Sequence, residues 1–188
     1  VVIERGYLAE GASGRNGGQM LGGLPGEANL ERHWGTAHAD ALFELGYRGH
    51  AIIAQRVQQY AIDCDLKYGA IDVALRPRHL AHQQQTHAAL CARGMEDQGR
   101  LVKADELQHL LGTDKYLGGL VNTRNGHLHP LNLCLGEARA AAALGVSLFE
   151  GSGVTAIEHG TQAVVKTAQG SVRADFVVLA GNAYQQLE

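Results

Sequence analysis

Apolar positions recur at steps of three and four between about Ala37 and Tyr60, at Leu42, Leu45, Ile52, Ile53, Val57 and Tyr60, with Gly49 on the same face. That spacing predicts an amphipathic helix. Pro77 stands where a second helix starts, and its pattern runs to Arg93 with Gly94 as the stop. Ala104 to Leu111 predicts a short helix closed by Gly112, and Pro130 opens another that runs through Leu144 to Gly145. Between these the chain reads as β. Val1-Val2-Ile3-Glu4 is the end of a buried strand, and Ile71 to Leu75 alternates as a strand does. Tyr116–Thr123 and Gly126–His129 predict two strands of a hairpin around Asn125-Gly126. From Val146 onward the period is two, giving strands at Val146–Phe149, Val154–Glu158, Ala163–Thr167 and Phe176–Leu179 with turns at Gly160 and Gly170. No internal repeat or low-complexity linker interrupts the pattern, and the fold class is α/β.

Composition narrows the class. Folding 188 residues can bury about 70% of the chain's surface, enough for a core. With 45% hydrophobic and 19% charged residues, the chain is not of the disordered kind. A formal net charge of −3 excludes the basic footprint of most nucleic-acid binders. No apolar run approaches the ~18 residues of a membrane helix, and no signal peptide is visible, so no membrane partner is expected. Cys64, Cys91 and Cys134 are odd in number and form no C-x-x-C pair. Neither a disulfide framework nor a structural metal site is expected, and reduced thiols suit a cytoplasmic protein. The 25 glycines stand out against a usual share of about 7%, and eight of them crowd residues 5 to 26.

Several motifs fail on inspection. Gly151-x-Gly153-x-x-Ala156 has the letters of a dinucleotide fingerprint, but a period-two segment follows it where the chemistry needs a helix N-terminus. Gly11-Ala-Ser-Gly14 is one residue short of a nucleophile elbow around Ser13. His79, His82 and His87 spread over about 140° of one helix, too wide for a tridentate site. His127 and His129 share a strand face, and Asp63 and Asp65 flank Cys64; the ordinary reading of both pairs is surface.

One constellation carries chemistry. Glu4 closes a strand, and Gly11-Ala-Ser-Gly-Arg-Asn-Gly-Gly-Gln19 follows it. In a doubly wound dinucleotide fold an acid at the end of the second strand accepts from a ribose hydroxyl. The glycines let backbone N–H groups approach phosphate and ring atoms, and Ser13, Arg15 and Asn16 add donors suited to an anion.

This stretch resembles the second FAD-contacting segment of the D-amino-acid-oxidase-like FAD-dependent oxidoreductases, the family of the glycine and sarcosine oxidases. Gln59-Tyr-Ala-Ile-Asp-Cys-Asp65, Gly126-His-Leu-His-Pro-Leu-Asn132 and Val177-Val-Leu-Ala-Gly-Asn-Ala-Tyr184 extend the likeness over essentially the whole chain. The resemblance implies a partial Rossmann-like FAD/NAD(P)-binding fold with part of an α+β substrate domain. The divisions expected are 1–66 for the FAD-binding part, 67–129 for the substrate part and 130–188 for the return to the FAD-binding part. It implies that Glu4 binds the adenosine ribose. Ala12, Ser13, Arg15, Asn16, Gly17, Gly18 and Gln19 would line the pyrophosphate and isoalloxazine. Val154 would meet the adenine through its backbone, and Ala180-Gly181 would form a second dinucleotide-binding turn.

The implied reaction is oxidation of a small-molecule amine. A hydride passes from the carbon bearing nitrogen to non-covalently held FAD, oxygen reoxidises the flavin, and the imine hydrolyses. A gamma-glutamylated polyamine is the substrate the subgroup implies. A D-amino-acid dehydrogenase, a sarcosine or glycine oxidase, or an inert structural module are the alternatives. On the family's pattern a G-x-G-x-x-G unit precedes Val1 and the catalytic residues lie beyond Tyr184. The chain is therefore expected to be an interior fragment, with Leu187-Glu188 a cloning scar. It is expected to bind FAD weakly by itself and, through its apolar edge strand, to form a homo-oligomer.

Overall fold

The computed structural model describes residues 1–22 and 27–182; Ala183, Tyr184 and Leu187-Glu188 lie outside the described residues. In chain order the elements are β1 (Val2–Ile3), β2 (Gln19–Met20), α1 (Glu27–Trp34), α2 (Thr36–Gln59), β3 (Lys67–Ala74), α3 (Pro77–Ala92), a 3-10 turn (Glu96–Gln98), β4 (Gly99–Lys103) and α4 (Ala104–Leu111). There follow β5 (Gly118–His127), α5 (Pro130–Ala143), β6 (Leu148–Phe149), β7 (Val154–Glu158), β8 (Ala163–Thr167) and β9 (Ser171–Ala174). They divide into two compact units: Val1–Asn16 with Pro130–Glu188, and Gly17–His129.

The unit Gly17–His129 is built on an antiparallel sheet with β5 at its centre. β3 pairs along one edge of β5, from Lys67↔His127 to Ala74↔Gly118. The other edge is shared: β4 pairs with Gly118 to Asn122, and β2 with Gly126 and His127. α3 starts at Pro77 after the extended residue Arg76, as a fixed proline φ favours. α4 ends at Gly112, whose left-handed φ of 69° lets its N–H reach the Gln108 carbonyl at 2.9 Å. Leu107 of α4 is fully buried. The Gln83 amide of α3 donates to the Asp72 carbonyl of β3 at 2.8 Å.

Phe43, Tyr47, Leu90 and Met95 form the core cluster. The Phe43 and Tyr47 rings meet edge to face at 5.1 Å, and the Arg93 and Arg124 guanidiniums lie over them at 4.6 and 3.9 Å. The inward face of α2 is thus Ala39, Phe43 and Tyr47, whereas Leu45 and Ile52 of the expected apolar face are exposed. The aromatic side chains bring more apolar area than the leucine and isoleucine and take the inward positions.

The hairpin expected around Asn125-Gly126 is absent: Gly118–His127 is one continuous strand with a bulge. Three residues of β3, from Tyr68 to Ala70, stand against five of β5, from Asn122 to Gly126. The Asn122 Oδ1 accepts the N–H groups of Arg124 and Asn125 at 2.9 and 3.0 Å, so the local turn chemistry is spent on the bulge. Gly126 is required there, because a Cβ would strike the Lys67 carbonyl.

In the unit of Val1–Asn16 with Pro130–Glu188, β1 and β6 pair in parallel, Val2 against Leu148 and Ile3 against Phe149. α5, opened by Pro130, leads into β6 as a parallel pairing needs. β7, β8 and β9 form an antiparallel sheet in that order. The Thr167 Oγ1 accepts from the Gln169 and Gly170 N–H groups, each at 3.2 Å, and closes the β8–β9 turn. Ser171–Ala174 is a strand that the periodicity did not single out. Phe176–Leu179, expected as a strand, is not one. It has no pairing partner among the described residues, and Phe176 and Val178 are 91% and 88% exposed. An alternating pattern makes a strand only where a neighbour completes its ladder.

Candidate functional site

Glu4 sits half-buried at the carboxyl end of β1. Its N–H donates to the Phe149 carbonyl at 2.8 Å, and its own carbonyl accepts from the Ser152 N–H at 2.8 Å. Its carboxylate Oε1 accepts the Gly6 N–H at 2.9 Å. The backbone is stitched further by Gly151 N–H to the Gly6 carbonyl (2.9 Å) and by Leu8 N–H to the Glu150 carboxylate (2.6 Å). The structure therefore brings Glu4 to the segment that opens β7, with Val154 two residues beyond Ser152. Gly153 is close-packed here, since a Cβ would come within 3.2 Å of Arg5 Cγ. The Gly151-to-Ala156 stretch is a turn and strand, as the missing helix signal implied. Ser152 and Glu150 escaped the sequence reading, and Gly153 entered it only in a rejected fingerprint, because only the parallel pairing of β1 with β6 brings this segment to Glu4.

The loop after Glu4 is a run of tight turns. Gly14 N–H donates to the Gly11 carbonyl and Arg15 N–H to the Ala12 carbonyl, both at 3.3 Å. The Asn16 amide donates to the Ala12 and Ser13 carbonyls at 3.1 and 2.9 Å, so this side chain holds the loop's shape. The loop is pinned to α5 by the Cys134 thiol donating to the Ser13 carbonyl at 3.4 Å. Gly14 has no room for a Cβ, which would meet the Ala9 carbonyl. Ala12, Ser13, Arg15 and Asn16 are exposed. The Arg15 guanidinium is 71% exposed and touches Glu10 only at 4.0 Å, a contact of little strength in water.

In the unit Gly17–His129, Gly17 is exposed with open space where a Cβ would stand. Gly18 is buried at φ 68°, and its carbonyl accepts from Leu128 N–H at 2.9 Å. Gln19 is exposed in β2, opposite His127. Val154 starts β7 opposite Thr167, and Ala180 and Gly181 are exposed in irregular backbone before Asn182 at φ 58°.

Burial pushes the Cys64 thiol above its ordinary value, and Asp63 and Asp65 add to the rise. Burial and Glu137 do the same for Cys134. These are protonated thiols at neutral pH, ill suited to act as nucleophiles. Among the described residues all three cysteines are free and no group of three His, Cys, Asp or Glu side chains could hold a metal ion. None of the described helices is long and apolar enough to cross a membrane.

A strand-end carboxylate beside a parallel pair is one part of the arrangement that doubly wound folds use for a dinucleotide. The family model DAO, FAD dependent oxidoreductase, matches residues 1–188. The chain belongs to that family. Over 98% of its length it is 38% identical to gamma-glutamylputrescine oxidoreductase from Escherichia coli K12, and it covers 43% of that protein. It is 36% identical, with the same coverage of each chain, to the probable oxidoreductase OrdL of Haemophilus influenzae. The chain thus spans under half the length of these relatives. Its fold matches glycine oxidase from Geobacillus kaustophilus with a TM-score of 0.74 over 95% of this chain and 47% of that one, at 20% identity. This DAO-family chain has the mixed α/β, Rossmann-like architecture of FAD-dependent oxidases.

Proposed function

We propose that the full-length protein carrying this chain oxidises a gamma-glutamylated polyamine with non-covalently held FAD. The observation that carries the reading is the 38% identity to gamma-glutamylputrescine oxidoreductase over 98% of the chain. The residues present fit the cofactor. A carboxylate held by one N–H keeps Oε2 without a partner among the described residues, as a ribose hydroxyl needs. An exposed guanidinium with a loose acidic neighbour suits a pyrophosphate. The loop itself, Gly11–Gln19, contains no His or Cys that could form a covalent tether.

In this reading bound FAD supplies the acceptor for the hydride of the carbon bearing nitrogen. The chain's own residues bind and orient. Glu4 accepts from the adenosine ribose, Val154 meets the adenine through its backbone, and Ala180-Gly181 serves as a second turn along the dinucleotide. Ala12, Ser13 and Arg15 bind the pyrophosphate. Asn16 keeps that loop in shape by its bonds to Ala12 and Ser13. Gly17, Gly18 and Gln19 lie along the isoalloxazine. The free thiols support a cytoplasmic location.

The test is a substrate panel on the full-length protein, with hydrogen peroxide as the readout. Gamma-glutamylputrescine is expected to release peroxide, and putrescine, glycine and sarcosine are expected to release far less. Preferential oxidation of glycine or sarcosine would replace this substrate with an amino acid or N-methyl amino acid.

A further inference from the structure

Three strands place Gln19, His127 and Lys67 in one row. Gln19 of β2 pairs with His127 of β5, and His127 pairs with Lys67 of β3 on its other side. Residues directly opposite in a ladder share a sheet face, about 5 Å apart between Cβ atoms, so the row spans about 10 Å. All three are exposed. The ladder around them is well fastened: Leu128 N–H reaches the Gly18 carbonyl at 2.9 Å and His129 N–H reaches the Cys64 carbonyl at 2.7 Å. The Lys67 ammonium contacts the Asp65 carboxylate at 3.0 Å in an exposed pair. The Gln19 amide and the His127 imidazole have no side-chain partner among the described residues.

We propose that Gln19, His127 and Lys67 form a donor row that binds the pyrimidine edge of the flavin; this rests on the FAD-dependent reading above. An amide, an imidazole and an ammonium present donors side by side. The Lys67–Asp65 pair is exposed and of little strength, so the ammonium is free to turn to an acceptor set against the row. The flavin's pyrimidine edge is rich in carbonyl acceptors and gains negative charge on reduction, so the row complements it in both hydrogen bonding and charge. The row also begins at the residue that follows Gly17-Gly18, the segment assigned to the isoalloxazine. His127 and Lys67 then touch the cofactor directly and favour its reduced form over the oxidised one.

The experiment measures the flavin midpoint potential and FAD content of the full-length protein and of its His127→Ala, His127→Gln and Lys67→Met variants. His127→Ala and Lys67→Met are each expected to lower the preference for reduced over oxidised flavin about tenfold, a drop of about 30 mV for a two-electron couple. Both variants are expected to hold FAD more weakly than the unmodified protein, so the potentials are read with FAD added to saturation. His127→Gln keeps a donor and is expected to recover most of the potential. The row is overturned if neither His127→Ala nor Lys67→Met moves the potential of a protein that holds FAD. An unmodified full-length protein that holds no FAD contradicts the proposed function itself and removes the basis of the row.

Discussion

In the unit Gly17–His129, apolar side chains from α2, α3, α4 and β5 bury one another, with Phe43, Tyr47, Leu90, Met95, Leu107 and Leu120 inside. In the unit of Val1–Asn16 with Pro130–Glu188, Val165 is the one apolar side chain buried among the described residues. Phe176, Val178 and Leu144 there stand in solvent. The first unit is held by packing. The second is held by backbone ladders and polar locks such as Glu4 to Gly6 and Leu8 to Glu150. The difference bears on the residues proposed to hold the cofactor. Glu4, Arg15 and Val154 all belong to the unit with little core of its own, so their placement depends on hydrogen bonds more than on packing.

The largest expected effect breaks the packed unit. Leu107→Ala is expected to cost about 2–5 kcal/mol of stability, because Leu107 is fully buried. Val165→Ala is expected to cost about 1.5 kcal/mol, from the lost burial alone. Denaturant midpoints measure both, and equal costs would erase the contrast between the units.

A smaller pair sharpens it. Asn122→Ala deprives the Arg124 and Asn125 N–H groups and the Tyr47 hydroxyl of a partner, at an expected cost of about 1–3 kcal/mol. Glu150→Ala, an exposed site, is expected to change global stability by no more than about 0.5 kcal/mol while speeding hydrogen exchange at the Leu8 amide. Exchange rates read residue by residue separate these outcomes.

The same contrast bears on how much the sequence reveals. α3 and α5 were legible because proline starts and glycine stops frame them, α4 because Gly112 closes it, and all three because their periods need no distant partner. α1 was not, since its residues Glu27–Trp34 carry no apolar stripe. The face of α2 was misplaced, because which residues turn inward depends on the aromatic pair and on Arg93 and Arg124 above it. Asn125-Gly126 signals a turn in any sequence. Only Asn122, reaching forward to two N–H groups, makes it a bulge. Phe176–Leu179 has a strand's pattern without a strand's neighbour. Of the site, Glu4 and the glycine loop were visible as residue types in order. The join of Glu4 to Ser152 was invisible, because it depends on a parallel pairing of segments about 146 residues apart.

The smallest effect lies with the thiols. The folded chain holds the Cys64 proton more tightly than the unfolded chain, because burial raises its value. That contribution to stability is full below the ordinary thiol range, near pH 8.5, and is lost as pH rises through it toward the folded value. Unfolding midpoints are expected to be flat to about pH 8 and to fall above it, with a shallower fall in Cys64→Ala. Alkylation at Cys64 is expected to be slower than at Cys91, which is less buried.

The claim that the loop after Glu4 holds the cofactor is tested most directly by FAD dissociation constants of the full-length protein, read from flavin fluorescence. Arg15→Ala is expected to weaken binding roughly 10- to 150-fold, the loss of one charge-assisted hydrogen bond of about 1.5–3 kcal/mol. Gly17→Val is expected to nearly abolish binding, since a side chain would fill the open space at Gly17 that the account gives to the cofactor. Unchanged dissociation constants in both variants would contradict the account.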